Sequence, residues 1–381
     1  MSACPPEEGA APRHRAWPRA GAESTEEAFA RILDLARAGI PFAVATVLSV
    51  DGSAPRSAGA KMVITPEGGL HGTIGGGVIE AEAIRHGVAA CVSGQAVCFE
   101  MQLDGAQVGD APPLCGGAVR VLVDGAAARH GEVYADVSAS LSDRRRGVLV
   151  TVVEREADTS ARCSWIDETR LAHGAADVGL PVFEERVRRC LAEGTACYVE
   201  PEPGMSREAL LEPIAPDPRL VIVGGGHIGQ ALAVQGKLLG FRVTVIDDRP
   251  EFTDPALFPP SVETRQGGVA YELGAYPVDD DTYIVIVTRG HQHDAAALSA
   301  CIHSPAPYIG MIGSRRKAAV VRQGFLDSGE ATPEEVGRVH CPVGLDIGAE
   351  TVPEIAVSIA AQLVAVRRGA GPCGGTWEMP R

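Results

Sequence analysis

Hydrophobic and polar positions alternate between strand-like and helix-like patterns over the first 125 residues. Four apolar runs rich in β-branched residues predict strands at 42–50, 61–65, 97–99 and 119–123. Apolar residues at helical spacing predict helices over 24–39 and 78–93. The alternation predicts an α/β domain over residues 24–125, behind a Pro-containing tail at 1–23.

The chain then repeats part of this pattern. The strand-like run Phe42–Leu48 resembles Gly147–Val153, and in each copy a helical stretch and a Cys-aromatic strand follow. Where the first copy has Gly72–Gly77, the second has Ala172–Asp177 and lacks the glycine cluster. Residues 126–200 are therefore predicted to be a degenerate second α/β unit without a ligand loop.

The last part of the chain reads as a separate domain. A Pro-rich stretch at 201–218 predicts a linker. Beyond it, strands are predicted at 219–223, 242–246, 283–288 and 308–312, and helices at 227–239, 294–302, 315–327 and 352–366. Strands alternating with helices predict a doubly wound parallel sheet over 219–368, followed by a tail at 369–381.

Composition narrows the class of protein. A length of 381 residues fits two or three domains, and a net charge of -15 disfavours a nucleic-acid partner. No apolar run is long enough to span a bilayer and no signal-peptide core is present, so we expect a cytoplasmic location. Ten cysteines without a C-x-x-C pair predict buried thiols and no metal site.

The first glycine loop, Gly72–Gly77, lies between a predicted strand and a predicted helix, where free backbone N–H groups suit an anion. If the flanking strands pair, Arg56 and Lys61 place two positive charges near this loop; surface charge at a turn is the alternative interpretation. Glu80, just inside the helix, contacts a ligand N–H group or faces solvent. The candidate ligand-binding residues of this region are Arg56, Lys61, Gly72, Thr73, Gly75, Gly76, Gly77 and Glu80.

A second loop has the G-x-G-x-x-G spacing of dinucleotide-binding folds, with Gly224, Gly226 and Gly229 around His227. Asp247 follows the last glycine by 18 residues, at the end of the next strand, where such folds place a ribose-binding acid; the adjacent Asp248 is an equal candidate. The motif is good support for a Rossmann-like fold. It leaves open whether the ligand is NAD(P), another phosphate or none.

Two further loops follow predicted strands. The candidate anion-binding residues there are Arg289, His291, Gly313, Ser314 and Arg315, with a solvated basic helix turn as the alternative for the last three. His291, His293 and Asp294 could hold a metal or relay protons, but a turn in which Asp294 caps the helix is the favoured interpretation.

Cys115 precedes two glycines at the head of a predicted strand. A thiol there can approach a ligand, so it is the candidate catalytic residue at a cofactor; a buried structural thiol is the alternative.

Several of these motifs, in the same order, make the chain resemble the XdhC/CoxI family. They are Gly52–Arg56, Gly59–Met62, Gly72–Glu80, Cys115–Gly117, Val223–Gly229, Thr288–His291, Ile312–Lys317 and Gly344–Thr351. The resemblance covers roughly 25–125 and 216–367. It implies an accessory protein that binds molybdenum cofactor (molybdopterin), assists its sulfuration with a cysteine desulfurase, and delivers it to an apo molybdenum hydroxylase such as xanthine dehydrogenase. It also implies that Arg56, Lys61 and the first glycine loop help to hold the phosphorylated pterin.

Two other functions stay open at this point. One is an NAD(P)-dependent oxidoreductase that uses the Rossmann-like domain, although the chain has no iron–sulfur cysteine pattern. The other is a structural assembly factor with empty loops. A homodimer that closes a shared cleft is compatible with each of these functions.

Overall fold

The computed structural model describes residues 25–52, 56–104, 116–155, 158–172, 184–201 and 206–369. The helices are α1 (Thr25–Arg37), α2 (Gly77–Ser93), α3 (Gly131–Ser142), α4 (Glu168–Ala172), α5 (Glu184–Glu193), α6 (His227–Leu238), α7 (Val269–Gly274), α8 (His291–Cys301), α9 (Arg315–Ser328), α10 (Pro333–Gly337) and α11 (Val352–Arg367). The strands are β1 (Ala43–Asp51), β2 (Lys61–Ile64), β3 (Leu70–Gly72), β4 (Ala96–Asp104), β5 (Gly116–Asp124), β6 (Gly147–Arg155), β7 (Thr159–Asp167), β8 (Cys197–Val199), β9 (Arg207–Ile214), β10 (Arg219–Val223), β11 (Arg242–Asp247), β12 (Glu263–Gln266), β13 (Thr282–Ile286), β14 (Tyr308–Met311) and β15 (Val339–His340).

The described strands before residue 215 form two antiparallel sheets. Their strand orders are β3-β2-β1-β5-β4 and β7-β6-β9-β8. The order β2-β1-β5-β4 thus recurs as β7-β6-β9-β8, with α2 and α5 at equivalent places in the chain. The repeat predicted from the likeness of 42–48 to 147–153 is present as a repeated topology, with β1 and β6 as its equivalent strands.

The two copies share one hydrophobic core. Along β1, Ala43, Ala45 and Val47 pack against α2, whereas Val44 packs in a cluster with Leu149 of β6. The same inter-sheet cluster includes residues of α1 and α3. Since α5 packs on the outer face of the second sheet, the layers run helix, sheet, sheet, helix. The core therefore crosses the predicted boundary between residues 125 and 126.

The predicted linker is wrong for residues 207–214, which form β9 between β6 and β8. Leu210 and Leu211 of this strand are fully buried. The prolines around the strand obscured its apolar run. Pro213 lies beyond Leu211, the last residue that pairs with β8, and such an open stretch is where a sheet tolerates proline.

The described strands after residue 218 form a parallel sheet in the order β12-β11-β10-β13-β14-β15. Numbered within the domain, this is the 3-2-1-4-5-6 order of a Rossmann fold, and the predicted doubly wound sheet is confirmed. Helices α6 and α11 cover one face, while α7, α8 and α9 cover the other. The short β12 and β15 were not predicted.

Two properties of the described residues concern environment rather than fold. The described cysteines are free thiols, and burial raises the pKa of Cys301 to about 12. None of the described helices has the length and apolar character needed to cross a membrane.

Candidate functional site

Most of the residues predicted around the first glycine loop lie on segments that begin or end at one edge of the first sheet. β1 and β4 end at this edge, β3 runs into the glycine loop there, and β2 and β5 begin there. The backbone register fixes this arrangement through the pairs Thr46 with Lys61, Met62 with Gly72, Asp51 with Ala118 and Asp104 with Gly116. Cys115 lies outside the described residues, directly before the first residue of β5.

The glycine loop connects β3 to α2 through backbone conformations that favour glycine. Gly76, the N-cap of α2, has φ 82°, and Gly77 has φ 64°. A Cβ atom at either position would meet no heavy atom within 4 Å. These glycines are therefore required by backbone conformation and leave an open surface at the helix N-terminus.

Glu80 closes this loop from within. Its carboxylate accepts hydrogen bonds from the Thr73 hydroxyl and, at 3.2 Å, from the N–H group of Ile74. Burial opposes ionisation, but the hydrogen bonds from Thr73 and from the backbone of Gly76, Ile74 and Gly75 prevail and lower the pKa of Glu80. The sequence suggested that Glu80 either contacts a ligand or faces solvent. In the structure its carboxylate is instead hydrogen-bonded within the loop. It already supplies an anion to the loop.

The two predicted cations have different surroundings. Arg56 is exposed and lines a cleft of about 480 Å³ between the two repeats, together with Gly59, Ala196 and Pro213. Lys61 does lie on a strand that pairs with β3, but its ammonium group forms an ion pair with Glu212 of the second sheet. Of the two cations, Arg56 is therefore the one with an exposed side chain.

Two acidic residues of β9 were missed by sequence reasoning. Glu212 approaches Gly59, where a Cβ atom would lie 3.2 Å from its Cγ, and burial raises the pKa of Glu212 although Lys61 opposes the shift. Glu208 is buried between the sheets and lies 2.9 Å from Nε of Arg120. The signal that could have found both is the repeat itself, because β9 is the counterpart of β5.

In the Rossmann-like domain the glycine loop follows β10 as predicted. Gly224 and Gly229 are buried, Gly226 is the N-cap of α6, and His227 is exposed. Asp247 ends β11 but is only 2% exposed, while Asp248 is more accessible and lies 3.6 Å from Arg289. The carboxyl ends of β10, β11 and β13 therefore bring the predicted loops together, with Asp247 beneath them.

The loops after β13 and β14 are tied to each other. α8 begins at His291 with Gly290 as its N-cap, so the expectation that Asp294 caps this helix is wrong. Asp294 is fully buried, accepts a hydrogen bond from Thr288 at 2.5 Å and forms an ion pair with Lys317. The side chain of His291 lies outside the described part of the chain. Among the described residues, no group of three or more His, Cys, Asp or Glu side chains could hold a metal ion.

The remaining candidates lie at the start of α9. Ser314 is its N-cap and accepts a hydrogen bond from the Lys317 N–H group at 3.2 Å. Gly313 lies against the side chain of Lys317, and Arg315 is almost fully exposed. This is a capped basic helix start, compatible with either alternative drawn from the sequence.

Comparison with known proteins decides the family. The XdhC and CoxI family matches residues 35–101, and the XdhC Rossmann domain matches residues 220–363. The chain belongs to the XdhC and CoxI family. Together the two matched regions contain the glycine loops of both halves. They also contain Arg56, Glu80 and Asp247.

Two relatives are similar to the chain in sequence. A protein of Bacillus subtilis (strain 168), named as a probable subunit of xanthine dehydrogenase, is 25% identical over 327 residues, which cover 85% of this chain and 93% of the relative. The uncharacterized protein YqeB of Escherichia coli (strain K12) is 38% identical over 156 residues, or 40% of this chain; the matched region spans only 28% of YqeB.

A solved structure shares the fold. The crystal structure of a xanthine dehydrogenase from Bacillus halodurans aligns with a TM-score of 0.68 over 90% of this chain and 96% of that chain. Its sequence identity of 21% means that this likeness shows the fold alone.

Proposed function

We propose that this protein is an accessory factor that binds molybdenum cofactor, assists its sulfuration and delivers it to a xanthine dehydrogenase- or aldehyde oxidase-type molybdenum hydroxylase. Membership of the XdhC and CoxI family supports an accessory role in xanthine dehydrogenase maturation. The observation that carries the finer proposal is the sheet register, which gathers the Arg56 segment, the first glycine loop and the start of β5 at one edge. The second repeat keeps the strand order without the glycine cluster.

The residues at this edge fit a phosphorylated pterin in part. Molybdopterin ends in a phosphate, for which an exposed guanidinium such as Arg56 is a suitable partner. The open surface at Gly76 and Gly77 lets a ligand approach the backbone closely. The N–H group of Ile74 donates to Glu80 and that of Gly75 donates to the Thr73 hydroxyl, so the phosphate is expected at Arg56 rather than at those amides.

The cofactor supplies the redox-active molybdenum centre of the client enzyme, and the role of this chain is to hold and shield it. The expected partners are the apo hydroxylase and a cysteine desulfurase, with Cys115 as the candidate thiol near the cofactor. A homodimer that closes the cleft belongs to the same proposal. In this function the protein is a maturation factor rather than an enzyme with its own turnover.

Cofactor extraction tests the proposal most directly. The full chain, purified anaerobically from cells that make molybdenum cofactor, is expected to carry molybdopterin in near-stoichiometric amount. Arg56→Ala is expected to retain several-fold less, because the phosphate loses its guanidinium partner. The matched control is Arg162→Ala, which removes an exposed arginine from the second repeat.

Client activity gives the second readout. Deletion of the protein is expected to leave the hydroxylase assembled but poorly sulfurated and poorly active. A molybdenum hydroxylase that is fully active and fully sulfurated in the deletion strain would contradict the proposal. For Cys115, a Ser replacement that leaves cofactor retention and transfer unchanged would return this residue to the structural thiols.

A further inference from the structure

The strand order and glycine motif of the C-terminal domain are those of dinucleotide-binding folds, and the surroundings of Asp247 show whether a dinucleotide fits here. In a dinucleotide site of this fold, the acid at the end of the second strand accepts hydrogen bonds from the adenosine ribose. The ribose lies beside the first half of the glycine loop, here Gly224 and Gly225. Fit therefore depends on whether Asp247 and this half of the loop are accessible.

The carboxylate of Asp247 is already engaged by the chain. Arg249 forms a two-pronged contact with it: Nε donates to Oδ1 and Nη2 donates to Oδ2, both at 2.9 Å. The N–H groups of Arg249 and Gly225 also donate to the two oxygens, at 3.0 and 2.8 Å. A ribose diol would need these same oxygens, so it would have to displace the guanidinium.

The chain also covers the first half of the loop. A Cβ atom at Gly225 would lie 2.1 Å from the carbonyl oxygen of Phe252, so the turn that follows β11 rests directly on the glycine. The guanidinium of Arg249 stacks 3.7 Å from the centre of the Phe252 ring. Arg249 thus contacts both Asp247, through hydrogen bonds, and Phe252, through stacking, and links the two side chains.

Two of the three motif glycines, Gly224 and Gly229, are explained by packing alone. Gly224 has φ 120° and its Cβ would lie 2.5 Å from the Val287 carbonyl, which requires glycine for the tight turn. A Cβ at Gly229 would lie 1.9 Å from the Gly224 carbonyl, which requires glycine where α6 packs against the loop. Packing does not require glycine at Gly226, since a Cβ there would meet no atom within 4 Å and φ is −67°. The backbone at Gly226 is thus open to a phosphate, whereas the ribose side of the loop at Gly225 is covered.

We infer that Arg249 and Phe252 form an internal plug at the adenosine-ribose position, and that the Rossmann-like domain consequently does not bind NAD or NADP in the dinucleotide mode. The 2′-phosphate of NADP does not fit either. Asp247 would repel it, and the Arg249 guanidinium that could bind it is already paired with Asp247. The inference concerns the C-terminal domain and stands independently of cofactor binding by the N-terminal half.

Binding to the full chain is the first test. Isothermal titration with NAD⁺, NADH and NADP⁺ up to millimolar concentration is expected to give no saturable heat. Hydrogen exchange is expected to be unchanged by these ligands in peptides covering 221–226 and 247–258. Saturable binding accompanied by new protection in either peptide would overturn the inference.

A pair of substitutions tests whether the plug is closed in solution. Gly225→Ala places a methyl group against the Phe252 carbonyl, so it is expected to lower the unfolding midpoint by several degrees or to speed exchange across 247–258. The control is Gly226→Ala, where a Cβ meets no atom within 4 Å and φ is −67°, and little change is expected. If both variants fold and show the same unfolding midpoint and the same exchange, the turn after β11 does not rest on Gly225 in solution, which would contradict the closed plug. If Gly225→Ala does not fold, the exchange of the wild-type chain decides.

Discussion

Lys61 and Glu212 form an ion pair between the two sheets, with only 14% and 11% of their side chains exposed. Removing one partner of such a pair leaves a charge in a poorly hydrated place, which costs about 3 kcal/mol. We therefore expect Lys61→Met to lower the free energy of unfolding by about that amount near neutral pH. The double variant Lys61→Met/Glu212→Gln, which also removes the charge of the acid, is expected to recover most of the loss in urea unfolding.

The pH dependence of this variant follows from the direction of the Glu212 shift. Burial raises the pKa of Glu212 in the folded protein, and Lys61 holds that rise back. A raised folded-state pKa contributes stability that is complete below the unfolded value and lost as the pH rises through the folded value. The Lys61→Met defect should thus be small at about pH 5 and largest at about pH 8. Equal defects at the two pH values would mean that Glu212 is not the group responsible.

Among the elements, β9 decides how the N-terminal half is built. It lies between β6 and β8, and Leu211 belongs to the cluster that also contains Val187 of α5. Leu211→Ala should destabilise the protein by about 2–5 kcal/mol, because it leaves a cavity in a closed core. Arg207→Ala, at the exposed start of the same strand, removes a surface ion pair with Glu154 and should cost less than about 1 kcal/mol.

Urea unfolding of both variants measures this difference. Amide exchange over 207–214 adds a test without substitution and is expected to be as slow as over 147–155. Fast exchange together with a neutral Leu211→Ala would fit a linker and contradict a central strand.

The sequence predicted those elements whose own residues carry the signal. Long apolar runs such as Arg219–Val223 gave the strands, and Thr351 with Glu354 gave a capping box that the structure confirms. β9 escaped prediction because prolines surround a short apolar run, and β15 because two residues carry no periodicity. Comparison of the copies held the missing information for β9, since the first copy continues to a fourth strand.

For the site, the sequence predicted which segments lie at the same edge of the sheet but not which of their side chains pair with other residues. The strand ends bring the glycine loop and the Arg56 segment to one edge, as pairing of the flanking strands required. Pairing between Lys61 and Glu212 depends on two sheets that pack only in the tertiary structure. The contacts of Asp247 with Arg249 likewise depend on how one turn folds back. Local pattern does not encode such contacts.

At the scale of the whole molecule, a basic turn of the N-terminal half meets an acidic turn of the Rossmann-like domain. Nε of Arg144 donates to Asp279 at 3.1 Å, its Nη1 donates to the Asp217 carbonyl at 2.6 Å, and Arg146 donates to Asp281 at 2.8 Å. The Arg144 side chain is only 14% exposed. Together with the ion pairs of Glu26 with Arg242 and of Glu27 with Lys237, this contact holds the two halves, and with them the first glycine loop and the Rossmann-like crevice, in one arrangement.

A double-mutant cycle on Arg144→Ala and Asp279→Asn should give a coupling energy of about 1–2 kcal/mol, since the pair is partly buried and its members touch. Arg145→Ala is the matched control, because Arg145 pairs with Asp143 and Asp167 of its own half.

Small-angle scattering should show a broader distribution of distances for Arg144→Ala but not for Arg145→Ala. Burial opposes ionisation of Asp279, but the hydrogen bond that the Thr282 hydroxyl donates and the charge of Arg144 prevail and lower the pKa of Asp279. The contribution of Asp279 to stability is therefore present above the unfolded pKa and lost as the pH falls through the folded pKa. The wild-type protein should consequently approach the scattering of Arg144→Ala on acidification, and a wild-type profile that stays compact through that range would show that other contacts hold the halves together.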